Sequence, residues 1–340
     1  NGAERWAYIP GLLLADIHPL ANEPYVHRYF VDGSPTIADI CVTTPCGGLA
    51  DWRTILVGGL NAGGRGYYAL DVSNPTATGT KVLWEFGYSA TCVTTGAQGV
   101  PTGGPHFADC HMGLSYGVPI VTKLNGKWMA LVTSGYNNGS TDGAGNGGGY
   151  LYVLDAVDGH LMHRLATGAG TAASPSGIAR IVAYATNSAI DNTALYVYGG
   201  DMKGNMWRFD LNFDGGVNAN YLTSTLVAVA KDALGNTQPI SVKPEVADAP
   251  TVPKKPIIMF GTGKFLESDD SPGPFTTQSL YAIKDEPTDV TGPVIADVRG
   301  ASMKQRVFQP GVNPGERTIA PGSAPVWTTD SGWFIDLPDS

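Results

Sequence analysis

The phrase GGRGYYALD, from Gly63 to Asp71, returns as GGGYLYVLD from Gly147 to Asp155. Variants follow as GNMWRFD from Gly204 to Asp210, QSLYAIKD from Gln278 to Asp285 and GWFID from Gly332 to Asp336. Each is an aromatic and aliphatic run that stops on aspartate, and recurrence of one such unit constrains the fold more tightly than composition does. A glycine-rich strand precedes each of the first four: TILVGGL at Thr54, ALVTSGY at Ala130, LYVYGGD at Leu195 and PIIMFGTGK at Pro256. Further upstream stand SPTIADI from Ser34, YGVPIVT from Tyr116, SGIARIVAY from Ser176 and VKPEVADAP from Val242, while KVLWEF, HLMHRLA and TSTLVAVA add a last strand to the first three units.

Four short strands per unit, joined by Gly, Asn and Asp turns, predict an all-β chain built from four-stranded antiparallel blades, a β-propeller. A lone twisted sheet of four strands cannot bury both faces, so each must stack on a neighbour. The glycine-rich strands are expected innermost, where small residues let backbones approach, with the aromatic strands packed between blades. The closing aspartates Asp71, Asp155 and Asp210 are read as turn formers that accept from backbone N–H groups two residues on.

At 340 residues, with 45 glycines, 24 prolines and only 15% charged residues, the chain has core and loop enough for such a body. About 40 to 50 residues per blade would use it up as one domain, residues 1–340. No apolar run approaches the roughly 20 residues of a membrane span. A net charge of −9 argues against nucleic acid, whose phosphates call for clustered Lys and Arg. LADIHPL is too short and broken for a signal peptide. The abrupt start at ERWAYIP, whose Trp6 to Ile9 reads as the outer part of a blade, is that expected of a piece of a longer protein.

The four cysteines, Cys41, Cys46, Cys92 and Cys110, fall in the first third of the chain. An even count in a loop-rich β protein points to disulfides and an oxidising compartment. Of three possible pairings, Cys41 with Cys46 and Cys92 with Cys110 is favoured, closing a TTP turn and the loop GAQGVPTGGPHFAD; closing the second, floppy loop is worth about 2–4 kcal/mol. The competing reading is a metal site in HFADCH, through His106, Asp109, Cys110 and His111, although this spacing matches no common zinc motif.

Catalytic signatures are few. GGLNAGGRG, Gly58 to Gly66, lacks the Lys-Ser/Thr ending of a phosphate loop and lies between strands, and Gly-x-Ser-x-Gly is absent. YALDVSNPTATGTKVLWEF and YVLDAVDGHLMHRL resemble the tryptophan-docking repeat of pyrroloquinoline quinone dehydrogenases, which makes a quinoprotein-like dehydrogenase the alternative to a non-enzyme. The adjacent cysteines usual beside the quinone are missing here.

VHRYFVDGSPTIADI (Val26 to Ile40), WRTILVGGLNAGGRGYYALDVSNP (Trp52 to Pro75), SGYNN before GGYLYVLDA, YGGDMKGNMWRFDL (Tyr198 to Leu211) and FGTGKFL (Phe260 to Leu266) together resemble the C-terminal propeller of PilY-type proteins. The resemblance covers most of the chain, with the motifs in family order. It implies a modified seven-bladed, quinoprotein-like propeller, with residues 1–30 and 300–340 helping to close it. It also implies a secreted protein of the pilus tip, cell surface, or outer membrane and periplasm of a Gram-negative bacterium. There it would work with minor pilins in type IV pilus assembly, oppose retraction in twitching motility, and attach to host or abiotic surfaces. No Arg-Gly-Asp tripeptide is present for integrin-type attachment.

The family's calcium loop precedes its Gly-Asp-x-x-Gly-Asn-x-Trp segment, here GDMKGNMW from Gly200 to Trp207. That places the loop at NSAIDNTAL, where Asn187, Asp191 and Asn192 offer oxygens and Leu195 stands near the expected terminal acid. Calcium takes six to eight oxygens, and this loop is short of them. A second candidate is DLNFDGG, with Asp210, Asn212 and Asp214 at positions one, three and five and Gly215 at the sharp turn. Tyr221 stands where a bidentate Glu would close it, leaving Asn218, Asn220 or backbone carbonyls as substitutes. The competing reading is a hairpin turn. TDGAGNGGG, with Thr141, Asp142 and Asn146, reads as a loop. Calcium is thus the expected cofactor, with Asp210, Asn212, Asp214 and Asp191 as candidate ligands.

Overall fold

Runs such as GYYALD and YLYVLD carry apolar residues at every position up to the closing aspartate, the pattern of strands covered on both faces. A computed structural model of the chain describes residues 4–338 apart from 75, 77–80, 97–98, 105–106, 140–144, 186–190, 214–220, 268–269, 272, 274, 288–292 and 323. The chain forms two compact units, one of Asn1–Ala179, Ala185–Leu195 and Leu211–Thr223, the other of Arg180–Tyr184, Tyr196–Asp210 and Ser224–Ser340.

In unit 1, sheet 1 comprises β1 (Thr36–Cys41), β2 (Trp52–Gly59), β3 (Gly66–Asp71) and β4 (Val82–Tyr88), antiparallel in that order. A ribbon of β5 (Thr94–Thr95) and β6 (Pro101–Gly103) follows, and β7 (Ala108–Asp109) returns to run parallel to β4. Sheet 2 is β8 (Ile120–Leu124), β9 (Lys127–Thr133), β10 (Tyr150–Asp155) and β11 (Leu161–Ala166), antiparallel throughout. The inner faces interlock: Ile40, Val57, Tyr67, Ala69 and Phe86 of sheet 1 share one core with Ala130, Val132, Tyr152 and Leu154 of sheet 2. Phe86 and Tyr152 meet at 5.1 Å between ring centroids, and Trp84 donates its indole N–H to Ala156 O at 3.0 Å.

In unit 2, sheet 3 is β12 (Ile181–Tyr184), β13 (Tyr196–Gly200), β14 (Asn205–Asp210) and β15 (Ser224–Val229). Sheet 4 opens with β16 (Glu245–Asp248), β17 (Pro256–Gly261) and β18 (Ser279–Lys284). After β19 (Met303–Arg306) and a hairpin of β20 (Phe308–Pro310) and β21 (Arg317–Ile319), β22 (Gly332–Asp336) completes it. β22 pairs antiparallel with β18, and β19 lies parallel to β22 at the edge. The strands predicted for the four repeats are found in their predicted order. Pairings of the third and fourth strands in sheets 1, 2 and 3 all shift register once, at Ala69/Leu70, Val153/Leu154 and Met206/Trp207, so the repeat includes a twist-enhancing bulge.

Three expectations are corrected. The glycine-rich strands β2, β9, β13 and β17 are second in their sheets, each flanked by the strand upstream of it. Their glycines seat side chains: a Cβ on Gly58 would lie 2.6 Å from the Tyr68 ring, and one on Gly200 would lie 2.2 Å from Ile240. Trp6 to Ile9 form no strand; Trp6, Tyr8 and Leu12 pack with Leu13, Leu60 and Tyr68 on sheet 1, pinned by Glu85, which accepts from the Tyr8 hydroxyl and from Gly11 and Leu12 N–H. GWFID serves as the fourth strand of sheet 4 instead of a third strand in a further repeat. Among the described residues, no helix is long and apolar enough to cross a membrane.

Candidate functional site

Two closing aspartates make the expected turns. Asp71 Oδ1 accepts from Ser73 N–H at 2.9 Å and Asp155 Oδ1 from Val157 N–H at 2.8 Å. A different turn recurs at Asp201 and Asp232, in DMKGN and DALGN. Each Oδ1 accepts two backbone N–H groups and each Oδ2 accepts from the asparagine four residues on. The family segment Gly200–Trp207 is therefore built around Asp201, whose Oδ2 also takes the Trp207 indole N–H at 2.9 Å.

Other aspartates are buried partners of arginine. Asp109, on β7 of sheet 1, receives Arg164 Nη1 at 2.8 Å and the Tyr152 hydroxyl at 3.0 Å from sheet 2, with Val93 N–H at 3.0 Å. Asp285, just after β18 of sheet 4, receives Arg208 Nη1 at 2.7 and 2.8 Å and the Tyr198 hydroxyl at 2.7 Å from sheet 3. The design is the same in both units: a carboxylate from one sheet accepts an arginine and a tyrosine from its neighbour. Both side chains of the second pair are 0% exposed. Within sheet 4, Asp336 accepts Arg299 through both oxygens, at 2.5 and 3.0 Å, and the Ser279 hydroxyl at 2.6 Å. Those Arg299 bonds hold the Asp336 carboxyl below the usual carboxylate range. Sequence reading missed these pins, whose signal is an arginine inside an apolar strand such as NMWRFD.

Cys41 is bonded to Cys46 and Cys92 to Cys110. With both sulfurs joined, Cys92, Cys110 and His111 offer a metal one imidazole nitrogen, and Asp109 is committed to Arg164. His106 lies outside the described residues. His111 stacks on Tyr150 at 4.7 Å and accepts Asn146 N–H through Nδ1 at 3.3 Å. Burial lowers its pKa. The metal alternative for HFADCH is replaced by a disulfide beside a salt bridge.

The calcium candidates lie partly outside the described residues. Asp210 is the buried last residue of β14, opposite Tyr196, in unit 2. Asn212 is half-buried in unit 1, while Asp214, Gly215, Asn218 and Asn220 lie outside the described residues. Tyr221 is buried, its hydroxyl accepting from Asn125 Nδ2 at 2.9 Å. In the first loop, Asn187 is not described, and Asp191 Oδ1 accepts the Thr193 hydroxyl at 2.8 Å. Asn192 binds the edge of β8, its carbonyl accepting Thr122 Oγ1 at 2.6 Å and Lys123 N–H at 2.8 Å. Asn146 holds a turn, accepting Gly148 N–H at 2.9 Å and donating to the Tyr150 hydroxyl at 2.6 Å; Thr141 and Asp142 are not described.

Twisted antiparallel sheets of four strands in chain order, stacked through buried aromatic faces, define the fold class as a β-propeller. The chain belongs to the family described as the PilY1 beta-propeller domain, whose model matches residues 7–310. It is 30% identical over 373 residues to the type IV pilus biogenesis factor PilY1 of Pseudomonas aeruginosa PAO1, covering 99% of this chain and 29% of that protein. A PilY1 homologue of Xylella fastidiosa Temecula1 is also 30% identical, over 355 residues, covering 99% of this chain and 21% of that protein. The chain thus spans less than a third of these relatives' length. The crystal structure of the P. aeruginosa PilY1 C-terminal domain superposes with a TM-score of 0.71 at 27% identity, over 99% of this chain and 67% of that one.

Proposed function

We propose that this chain is the propeller of a secreted, non-enzymatic type IV pilus tip protein that supports fibre assembly with minor pilins, opposes retraction and mediates attachment to host or abiotic surfaces. The observation that carries the reading is the match over 99% of the chain to type IV pilus biogenesis factors. The test is made in the piliated bacterium that encodes it. Removing the propeller from the full-length protein is expected to abolish surface pili while retraction is active and to restore them when the retraction motor is disabled. Normal piliation and attachment without the propeller would reject the proposal.

Calcium regulation through Asp210, Asn212 and Asp214, with Asp191 in the neighbouring loop, belongs to the same proposal. It is supported by the alternating oxygen donors of DLNFDGG. A ligand that binds only the native state at 100 times its Kd stabilises it by about 2.7 kcal/mol. Millimolar calcium should therefore raise the melting temperature over that in chelator, and Asp210→Ala with Asp214→Ala should remove the increment. Asp210 is buried, so the variant melts lower in either buffer, and the informative quantity is the calcium increment alone. An unchanged melting temperature of the parent protein would mark it as calcium-independent.

A further inference from the structure

At one end of unit 1 the β1–β2 loop, the turn after β3, the β8–β9 hairpin and the β10–β11 turn come together. Two clefts open among them. One, of 330 Å³, is lined by Asp39, Trp52, Arg53, Thr54 and Ser73. The other, of 420 Å³, is lined by Cys41, Lys127, Trp128, Asp155 and Asp158. They share a wall, because Cys41 is the register partner of Trp52 and the Trp52 and Trp128 rings meet edge-on, at 6.2 Å and 71°. Each has the size of a small-ligand site.

The polar groups here follow one pattern. Asp39 Oδ1 accepts the Thr54 hydroxyl at 2.7 Å, Asp155 Oδ1 accepts Val157 N–H at 2.8 Å, and Asp158 Oδ1 accepts His160 N–H at 3.0 Å. In all three the Oδ2 oxygen has no hydrogen-bond donor among the described residues. Lys127, exposed at the rim, makes no ion pair among them. The carboxylates are thus held in place through one oxygen and keep the other for a ligand. The frame is fixed by the Cys41–Cys46 disulfide and by Arg53, which donates to Ala50 O at 2.8 Å and Trp52 O at 2.9 Å. Trp52 itself is 40% exposed, with the Trp128 ring against it and the rest of its indole open to the cleft.

We infer that this pair of clefts binds a neutral oligosaccharide. The electron-rich indole face attracts the polarised C–H groups of a pyranose. Sugar hydroxyls donate to fixed carboxylate oxygens and accept from an ammonium, the mixed set present here. Asp39, Asp71, Asp155 and Asp158 against Lys127, Arg53 (which pairs with Asp71) and Lys123 (which lies over the Trp128 ring) leave the site one charge negative, which disfavours a polyanion. Two joined clefts across a tryptophan pair suit a chain of sugar rings better than a single one. The inference rests on this geometry and stands apart from the pilus reading.

The test is titration of the purified domain with maltotriose, cellotriose and chitotriose up to about 10 mM, a range that detects millimolar affinity. Tryptophan fluorescence and saturation-transfer NMR follow binding. At least one trisaccharide should bind, Trp52→Ala should weaken it about tenfold or more, and Asp155→Asn with Asp158→Asn should weaken it by about threefold or more. Lys127→Met, a change at an exposed side chain, supplies a second probe should Trp52→Ala unfold, and should also weaken binding. The inference is overturned by absence of binding for all three sugars, or by parent-like affinity in the folded variants.

Discussion

Removing the Asp285 carboxylate should cost unit 2 a large share of its stability. Arg208 and Asp285 are both fully enclosed, joined at 2.7 and 2.8 Å, and Tyr198 donates to the same carboxylate. Asp285→Ala leaves a guanidinium and a phenol hydroxyl facing each other in a dry site. Breaking a buried pair from one side costs about 3–5 kcal/mol, because the surviving charge keeps its desolvation penalty and loses its compensation. Against total stabilities of about 5–15 kcal/mol, that is enough to populate unfolded protein near physiological temperature. With a urea slope of about 3 kcal/mol/M, the midpoint should fall by about 1–1.7 M. Trp207, on β14 beside Arg208, reports the transition by fluorescence. The control is Arg208→Met, Asp285→Leu and Tyr198→Phe together, which removes the stranded side-chain polar groups, leaves only the Glu286 and Pro287 carbonyls that Arg208 also serves, and should recover much of the loss. A single-variant change within about 0.5 kcal/mol, the range of an ordinary surface substitution, would falsify the reading of this pair as a buried pin.

The two disulfides should contribute unequally. Their sequence separations are 5 and 18, so chain-entropy loss predicts about 2 kcal/mol for Cys41–Cys46 and about 3 kcal/mol for Cys92–Cys110. Complete reduction should lower the melting temperature, and Cys92→Ala with Cys110→Ala should account for the larger part; equal or reversed effects would oppose the entropic account. Because Asp336 has a depressed folded pKa, its contribution is present above the unfolded value and is lost as pH falls through the folded one. Urea midpoints should therefore drop below about pH 4, the unfolded carboxylate range, and less steeply in Asp336→Asn; superimposed acid limbs would show that Arg299 does not hold this carboxyl. Gly135, in the SGYNN motif, has φ +69°, and a Cβ there would lie 1.9 Å from Leu114 O. Gly135→Ala should cost at least about 1–3 kcal/mol by chemical denaturation, and a neutral result would mean the turn can relax.

The repeat was readable because its signals are local. A strand of five apolar residues closed by aspartate, a glycine-rich strand before it and an Asx turn such as Asp71 with Ser73 all lie within a few residues of one another. The same holds for Cys41 and Cys46, which a short turn brings together. The arginine pins were not readable, since Arg164 meets Asp109 across 55 residues and Arg208 meets Asp285 across 77. Arg208 in NMWRFD was a visible anomaly, a charge inside a buried strand, but its partner could be found only once sheets 3 and 4 were stacked. The aspartate ending one repeat therefore does two different jobs: Asp155 folds back on its own turn, and Asp285 reaches into the neighbouring sheet. The Asp39, Asp155 and Asp158 set was equally invisible, because each residue reads alone as a turn or strand aspartate.

β22 joins β18 only after the whole stretch from Asp285 to Ser331 has been made. Sheets 1, 2 and 3 acquire their fourth strands promptly, so a chain delivered N-terminus first can complete them as it emerges. Sheet 4 cannot. Until Gly332–Asp336 arrives, β18 presents an open row of backbone donors and acceptors, the kind of edge to which another chain adds a strand. The carboxylate that receives Arg299 and Ser279 also travels on that final segment, as Asp336. A ribosome stall or proteolytic cut before Gly332 would thus release a molecule with a sticky flank and an unneutralised Arg299, so the arrival of β22 decides whether sheet 4 is closed or aggregation-prone.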